Sequence, residues 1–249
     1  RGRGHGRART RSARAGPDRR PARRAPGRPD APEPGRGRRR LSATGQGSPL
    51  PPEFYARDAE AVARALLGAV LVSTVGGARV AGRIVETEAY LGPHDPASHA
   101  AARIGRTARN ASMFGPPGIA YVYRIYGLHW CLNAVTGPEG YPAAVLVRAL
   151  EPLEGIDVMR RRRNAAPAGP RGFGAGAGRD LASGPARLAQ ALGITGALDG
   201  HRLDAPPLFI LPGAPVDPSR IAVGPRIGVT RARDWPLRFW LRDSPWVSR

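Results

Sequence analysis

An α+β fold is predicted for this chain: a single domain on a mixed, mostly antiparallel β-sheet, with helices around it and a protruding β-hairpin. Three observations carry the prediction. Short β-rich segments come in neighbouring pairs around glycine-containing turns, the helical segments are scattered rather than alternating with strands, and no internal repeat is visible. With 249 residues, 41% of them apolar and 23% charged, the chain can build one good-sized core.

Residues 1–47 are set apart as an Arg/Gly/Pro/Ala-rich tail. Residues 1–40 hold 15 arginines against Asp18, Asp30 and Glu33, a net charge of +12, while residues 41–249 carry +8. Almost no large apolar side chain precedes Leu41. Such a segment cannot bury enough surface to offset its ordering entropy, so disorder is expected. It lacks the apolar stretch of a secretory signal and opens on Arg1 rather than methionine, so the start is expected to be incomplete or to lie elsewhere. A flexible arm that adds phosphate contacts and an extension of no specific role fit the tail equally well.

All 39 basic residues are arginine. Abundant arginine, alanine, glycine and proline, with only three asparagines, also fit GC-rich coding, so codon bias stands beside selection for charge. Without lysine, no side-chain amine can form a Schiff base. Cys131 is the one cysteine, which excludes an internal disulfide and a structural zinc site and fits a reducing, cytoplasmic location. The longest apolar runs, such as that around Ala65–Ser73, stop well short of the roughly 20 residues of a membrane span.

The folded domain is placed at 48–249. Asp58 as N-cap, Glu60 in the first turn and Ala59, Val62, Ala63 and Leu66 at helical spacing predict a helix near 58–67, closed by Gly68. Ala69–Val75 and Ala78–Tyr90 read as a hairpin with a tight two-residue turn at Gly76-Gly77. In the second strand, period two puts Ile84, Glu86, Glu88 and Tyr90 on one face and Val85, Thr87 and Ala89 on the other. Ala120–Ile125 and His129–Val135 flank Tyr126-Gly127 as a second hairpin, and Ala143–Leu150 is an apolar strand broken by Arg148. Gly155–Arg163 is helical, with four arginines at the negative end of its dipole. A mobile loop is expected near 164–180. Ser183 is expected to cap a helix with Pro185 in its first turn, and Pro207–Leu211, Ile221–Val229 and Leu237–Leu241 supply later strands.

Two groupings carry possible chemistry. Carboxylates such as Glu86 and Glu88 on a sheet face are costly unless paired or used, and a salt bridge is their commoner fate. Tyr121 and Tyr123 face the same way with Tyr126 at the turn: core packing and a hairpin tip, or a stacking platform for bases with Tyr126 as a wedge.

Taken in order, Gly82-Arg-Ile-Val-Glu-Thr-Glu-Ala-Tyr90-Leu-Gly-Pro93, His99, Arg109-Asn110, Met113-Phe114, Pro117-Gly118 and Tyr121-Val-Tyr-Arg-Ile-Tyr-Gly127 resemble the alkyladenine, or 3-methyladenine, DNA glycosylases. Asn133, Val147-Arg-Ala-Leu-Glu-Pro152, Ser183-Gly-Pro185, Pro236-Leu-Arg-Phe239 and Ser244-Pro-Trp-Val-Ser248 continue the resemblance, which runs from about Leu50 onward.

The resemblance implies a curved sheet and a set of roles. Glu88 matches the catalytic carboxylate that activates water, with Glu86 supporting or structural. Tyr90, His99 and Tyr123 match residues that sandwich an extruded base, Tyr121 lies in the same wall, and Asn133 matches a residue that discriminates purine substituents. Tyr126 matches an intercalating tyrosine and Arg148 an arginine at the reaction centre. Ser183 and Gly184 resemble a phosphate contact. The implied activity is excision of damaged purines, such as 3-methyladenine and 7-methylguanine, with hypoxanthine left open, from duplex DNA, by a monomer in a bacterial cytoplasm associated with the nucleoid through DNA. No metal or redox cofactor is needed for such hydrolysis, and without lysine no strand cleavage is expected. A non-catalytic nucleic-acid-binding module on a related scaffold, and a hydrolase of free nucleosides or glycans, are the alternatives.

Overall fold

The computed structural model of the chain describes residues 47–164 and 180–248. All of the predicted tail 1–47 except Gly47, and most of the predicted loop, 165–179, lie outside the described residues.

Two short helices, α1 (Pro52–Tyr55) and α2 (Ala59–Ala65), lead into β1 (Val70–Ser73) and β2 (Val80–Tyr90). The hairpin β3 (Ala120–Ile125) and β4 (His129–Thr136) follows, then β5 (Ala143–Glu154), α3 (Ile156–Arg162) and α4 (Pro185–Leu192). Four strands complete the set: β6 (Asp204–Ala205), β7 (Leu208–Leu211), β8 (Ile221–Gly224) and β9 (Arg238–Leu241). They form one sheet in the order β3-β4-β5-β2-β1-β7-β6, with β9 joining β2 and β8 joining β9. Its strand ladders are antiparallel among the described residues. Among these residues, no helix is long and apolar enough to cross a membrane.

β2 organises the sheet. Its first half, Val80–Arg83, pairs with β1, and Glu86–Glu88 pairs with β9, while β5 runs along its other edge. The β2–β5 register slips at three places, one between Ile84 and Glu86. Such bulges bend a strand and increase its local twist, which gives the sheet its curvature.

The same bulge corrects the expected alternation. Val85 is the extra residue, because Ile84 pairs with Leu150 and Glu86 with the adjacent Ala149. Ile84 therefore joins Val85 and Ala89 in the main apolar core rather than sharing a face with the carboxylates. Leu188, Ala191 and Leu192 of α4 complete that core, each leucine contributing about 1.5–3 kcal/mol of burial. Thr87 ties the strand to α2 by donating to the Ala63 carbonyl at 2.9 Å.

Several boundaries differ from expectation for local reasons. The β1–β2 connection is six residues with a 3-10 turn, not a two-residue turn, since Ser73 pairs with Val80. The Ser73 hydroxyl, donating to the Leu192 carbonyl at 2.7 Å and accepting from the Val75 N–H, ends β1 there. Ser183 does not cap α4. Gly184 does, at φ +121°, in a conformation that favours glycine, while Ser183 bridges to Ala149 beside β5. β8 ends at Gly224 because Pro225 has no N–H to continue a ladder.

Candidate active site

The most concentrated buried charge lies where β2, β5 and β9 meet. Glu86 and Glu88 are fully buried, and Arg148 of β5 nearly so. Arg148 reaches both carboxylates: Nε donates to Glu86 Oε1 at 3.2 Å, and Nη1 lies 3.1 Å from Glu88 Oε1. Glu86 is further saturated by Arg238 Nε at 2.6 Å, the Ser248 N–H at 2.7 Å and the Ser248 hydroxyl at 2.9 Å. Buried carboxylates require such partners, because an unpaired one costs several kcal/mol.

Glu88 is held differently. Its Oε1 accepts from the Ile227 N–H at 2.7 Å as well as facing Arg148, and its Oε2 accepts from the Tyr90 hydroxyl at 3.0 Å. Burial pushes its carboxyl above the ordinary 4.5, against the pull of Arg148, the Ile227 N–H and the Tyr90 hydroxyl. A carboxylate so placed binds a proton more readily than one in water, as a general base must.

Beside this cluster opens a cavity of about 330 Å³, walled by Tyr90, His99, Tyr121, Tyr123, Asn133 and Arg148 among others. That is at the small end of ligand pockets, roughly 300–1,000 Å³. Tyr121 and Tyr123, two apart on β3, stack at 5.3 Å, and His99 meets Tyr123 edge-on at 4.4 Å. His99 Nδ1 and the Tyr121 hydroxyl share a hydrogen bond of 2.8 Å. Burial first, then the charge of Arg109, holds His99 below its ordinary 6.5, so the imidazole is neutral at pH 7. Asn133 Nδ2 donates to the Tyr121 carbonyl at 3.1 Å, which orients its amide. A larger groove of about 750 Å³ lies between α2 and Tyr141, but the charged groups lining it are exposed or half-buried.

Tyr126 stands at the tip of the β3–β4 hairpin, 85% exposed and bordering the cavity. Its φ is +52°, with Gly127 following at +68°. The left-handed region disfavours an aromatic residue, and glycine or asparagine would serve the turn better. Leu128 beside it is 71% exposed.

Of the expected residues, Tyr90, His99, Tyr121, Tyr123, Tyr126, Asn133 and Arg148 come together around the cavity. Glu88 is not in the wall. It lies one layer behind, and the three groups on its oxygens, Tyr90, Arg148 and Ile227, are wall residues. Ser183 and Gly184 do not line the cavity, although Pro185 does.

Sequence reasoning missed the group that seats Ile227. Arg226, fully buried, donates to both Asp95 oxygens at 2.5 and 2.9 Å and to the Ala89 carbonyl at 3.0 Å. Its guanidinium lies 4.7 Å from the Tyr90 ring centre. These partners are more than 130 residues apart in sequence, so no local pattern announces them. Only the Asp95 side chain gives a hint: it caps a turn by accepting from the Ala97 and Leu91 N–H groups.

Comparison with known proteins covers the same stretch. The family model for methylpurine-DNA glycosylase matches residues 53–245. A Myxococcus xanthus protein named "Putative 3-methyladenine DNA glycosylase" is 51% identical over 203 residues, covering 80% of this chain and 93% of the relative. Proteins of the same name from Nitrosospira multiformis and Methanoculleus marisnigri are each 51% identical, over 76% and 80% of this chain and 88% and 98% of their own. The chain belongs to the methylpurine-DNA glycosylase family.

Proposed function

We propose that the protein is a monofunctional DNA glycosylase that extrudes a damaged purine from duplex DNA and hydrolyses its N-glycosidic bond with a water activated by Glu88. One observation carries the reading: a carboxylate with raised proton affinity, fixed by Arg148 and Tyr90, stands directly behind an aromatic cavity whose rim bears the exposed Tyr126.

Chemistry at a base inside a duplex requires the nucleotide to leave the stack, at a cost of a few kcal/mol that is smallest for a damaged or mispaired base. Tyr126 fills the gap, which accounts for an aromatic residue kept in a conformation that favours glycine. Tyr90, His99, Tyr121 and Tyr123 close on the base. A purine nucleotide alkylated at N3 of adenine or N7 of guanine is a cation, and electron-rich ring faces favour it by about 0.5–2 kcal/mol over its neutral parent. Asn133 reads the purine edge.

Glu88 is closed to water as it stands, and its Oε2 accepts one hydrogen bond, from Tyr90. Repositioning of the Tyr90 ring against the base opens that oxygen to the attacking water. The water oxygen bonds to C1′, its proton passes to Glu88, and the C1′–N bond breaks. The bonding pair leaves with the base, which neutralises an alkylated purine. Developing positive charge on the sugar is stabilised by the carboxylate, while Arg148 keeps Glu88 in place. Ser183 and Gly184, ahead of α4, serve as a phosphate contact.

The chain has no lysine, so the abasic strand stays intact. The protein works as a monomer, in a cytoplasm and on double-stranded DNA. Duplexes carrying single lesions, scored separately for free base and for nicks, test the proposal. Release of 3-methyladenine or 7-methylguanine without nicking is expected, and no release of any alkylated purine rejects it.

A further inference from the structure

Ser248 ends the Ser244-Pro-Trp-Val-Ser248 segment and lies beyond the residues matched by the family model, 53–245. It is buried within the charge cluster. Its N–H donates to Glu86 Oε2 at 2.7 Å and its hydroxyl to Glu86 Oε1 at 2.9 Å. The hydroxyl accepts from Arg148 Nη2 at 3.3 Å, and the carbonyl accepts from Arg238 Nη2 at 3.3 Å. One small residue thus touches Glu86, Arg148 and Arg238.

We propose that Ser248 is a positioning residue for the reaction centre: by saturating Glu86 and holding Arg148 Nη2, it keeps Arg148 Nη1 on Glu88. The inference rests on the reading of Glu88 as general base. A guanidinium is planar, and three acceptors in three directions fix that plane: Glu86 on Nε, Glu88 on Nη1 and Ser248 on Nη2. Among the described residues, the Ser248 N–H is the donor to Glu86 Oε2. Without it, a bare oxygen in a dry site draws the guanidiniums already on Glu86, those of Arg148 and Arg238, toward two-point pairing, the geometry arginine and carboxylate favour. For Arg148 that pairing takes Nη2 from Ser248 as its second point, which turns the guanidinium plane and draws Nη1 off Glu88.

The groups facing each carboxylate determine the consequence. Glu88 faces Arg148 from β5, Tyr90 and Glu86 from β2, and the Ile227 N–H after β8, with Tyr123 of β3 and Cys131 of β4 in electrostatic reach. Glu86 faces Arg148, Arg238 from β9, and Ser248. Arg148 is the cation paired with Glu88, so its withdrawal leaves that carboxylate to bind its proton more tightly.

The test compares wild type, Ser248→Ala, Ser248→Thr and a chain ending at Val247, each checked for folding by its melting curve. Single-turnover release of methylpurines from alkylated duplex DNA is followed from acid to alkaline pH, with lesion affinity measured separately. Expected are a loss of about tenfold for Ser248→Ala and on the order of a hundredfold for the shortened chain, the scale of misplacing a catalytic group. In both, the acid limb of the rate profile moves to higher pH and affinity is retained, and Ser248→Thr restores rate and limb. Should the shortened chain fail to fold, Ser248→Ala and Ser248→Thr decide. Unchanged rate and acid limb in Ser248→Ala overturn the inference while leaving the proposed function standing, as does an equal loss in Ser248→Ala and Ser248→Thr. A wild type that releases no methylpurine overturns the function and the inference with it.

Discussion

Arg148 Nη1 lies 3.1 Å from Glu88 Oε1, with neither side chain appreciably open to solvent. The same guanidinium holds Glu86, so one cation serves two buried carboxylates. Replacing it by a neutral side chain leaves Glu88 without an ionic partner. Arg148→Gln is expected to lose about 3–5 kcal/mol of stability, the cost of breaking a buried pair from one side. Denaturant unfolding measures this, and a loss below about 1 kcal/mol would show that the pair is hydrated.

The hairpin tip makes the opposite prediction. Tyr126 buries little within the protein, so Tyr126→Ala changes stability by no more than about 0.5 kcal/mol. Base release from duplex DNA falls tenfold or more, in line with about 1–3 kcal/mol for stacking an aromatic on a base. Single-stranded substrate, with no stack to fill, is affected less. Equal losses on both substrates would rule out intercalation.

Arg226 and Asp95, both sealed from solvent, form a clamp beneath Tyr90 and Ile227. Although burial opposes ionisation, Arg226 and two N–H donors hold the Asp95 carboxyl below its ordinary 3.8. A carboxylate with a depressed folded value contributes stability that is complete above pH 3.8 and lost as pH falls through the folded value. Asp95→Asn therefore destabilises the protein at neutral pH by about 3–5 kcal/mol, and the difference from wild type narrows at the acid end. Melting curves across pH check the sign.

Glu88 behaves the other way. Its folded value is raised above 4.5, so its contribution to stability is greatest below that pH and declines as pH rises through the folded value. Glu88→Gln, which keeps the shape and removes the titration, should melt higher than wild type at alkaline pH. The gain should vanish below about pH 4.5, where the carboxyl is protonated in both states. An acid-side gain that disappears at alkaline pH would reverse the assignment. A functional acid kept at the expense of stability is a common pattern in enzyme sites.

How much of this was legible in the sequence depended on the range of each contact. Period two along β2 placed Glu86, Glu88 and Tyr90 together, and the same rule stacked Tyr121 on Tyr123. The rule failed at Ile84, where a bulge inserts Val85, because bulges leave no compositional mark when every residue is a good strand former. Ser183 reads as a cap because serine favours that position, whereas in the fold the bridge to Ala149 occupies it and Gly184 takes the cap. Arg226, Asp95, Ile227 and Ser248 were invisible as partners of the site, since their contacts span 131 to 162 residues and arise only when the sheet closes. The resemblance supplied the choice of Glu88 over Glu86, and the structure separates them physically: Glu86 is saturated by four donors, while Glu88 stands directly behind the cavity wall.

The central claim is that Glu88 activates the water that cleaves the glycosidic bond. Glu88→Gln on a duplex with one alkylated purine, measured in single turnover beside its affinity for the same duplex, tests it most directly. The account predicts that release falls at least a hundredfold, about the contribution of a general base, while affinity stays within a few-fold. Release close to the wild-type rate would contradict it.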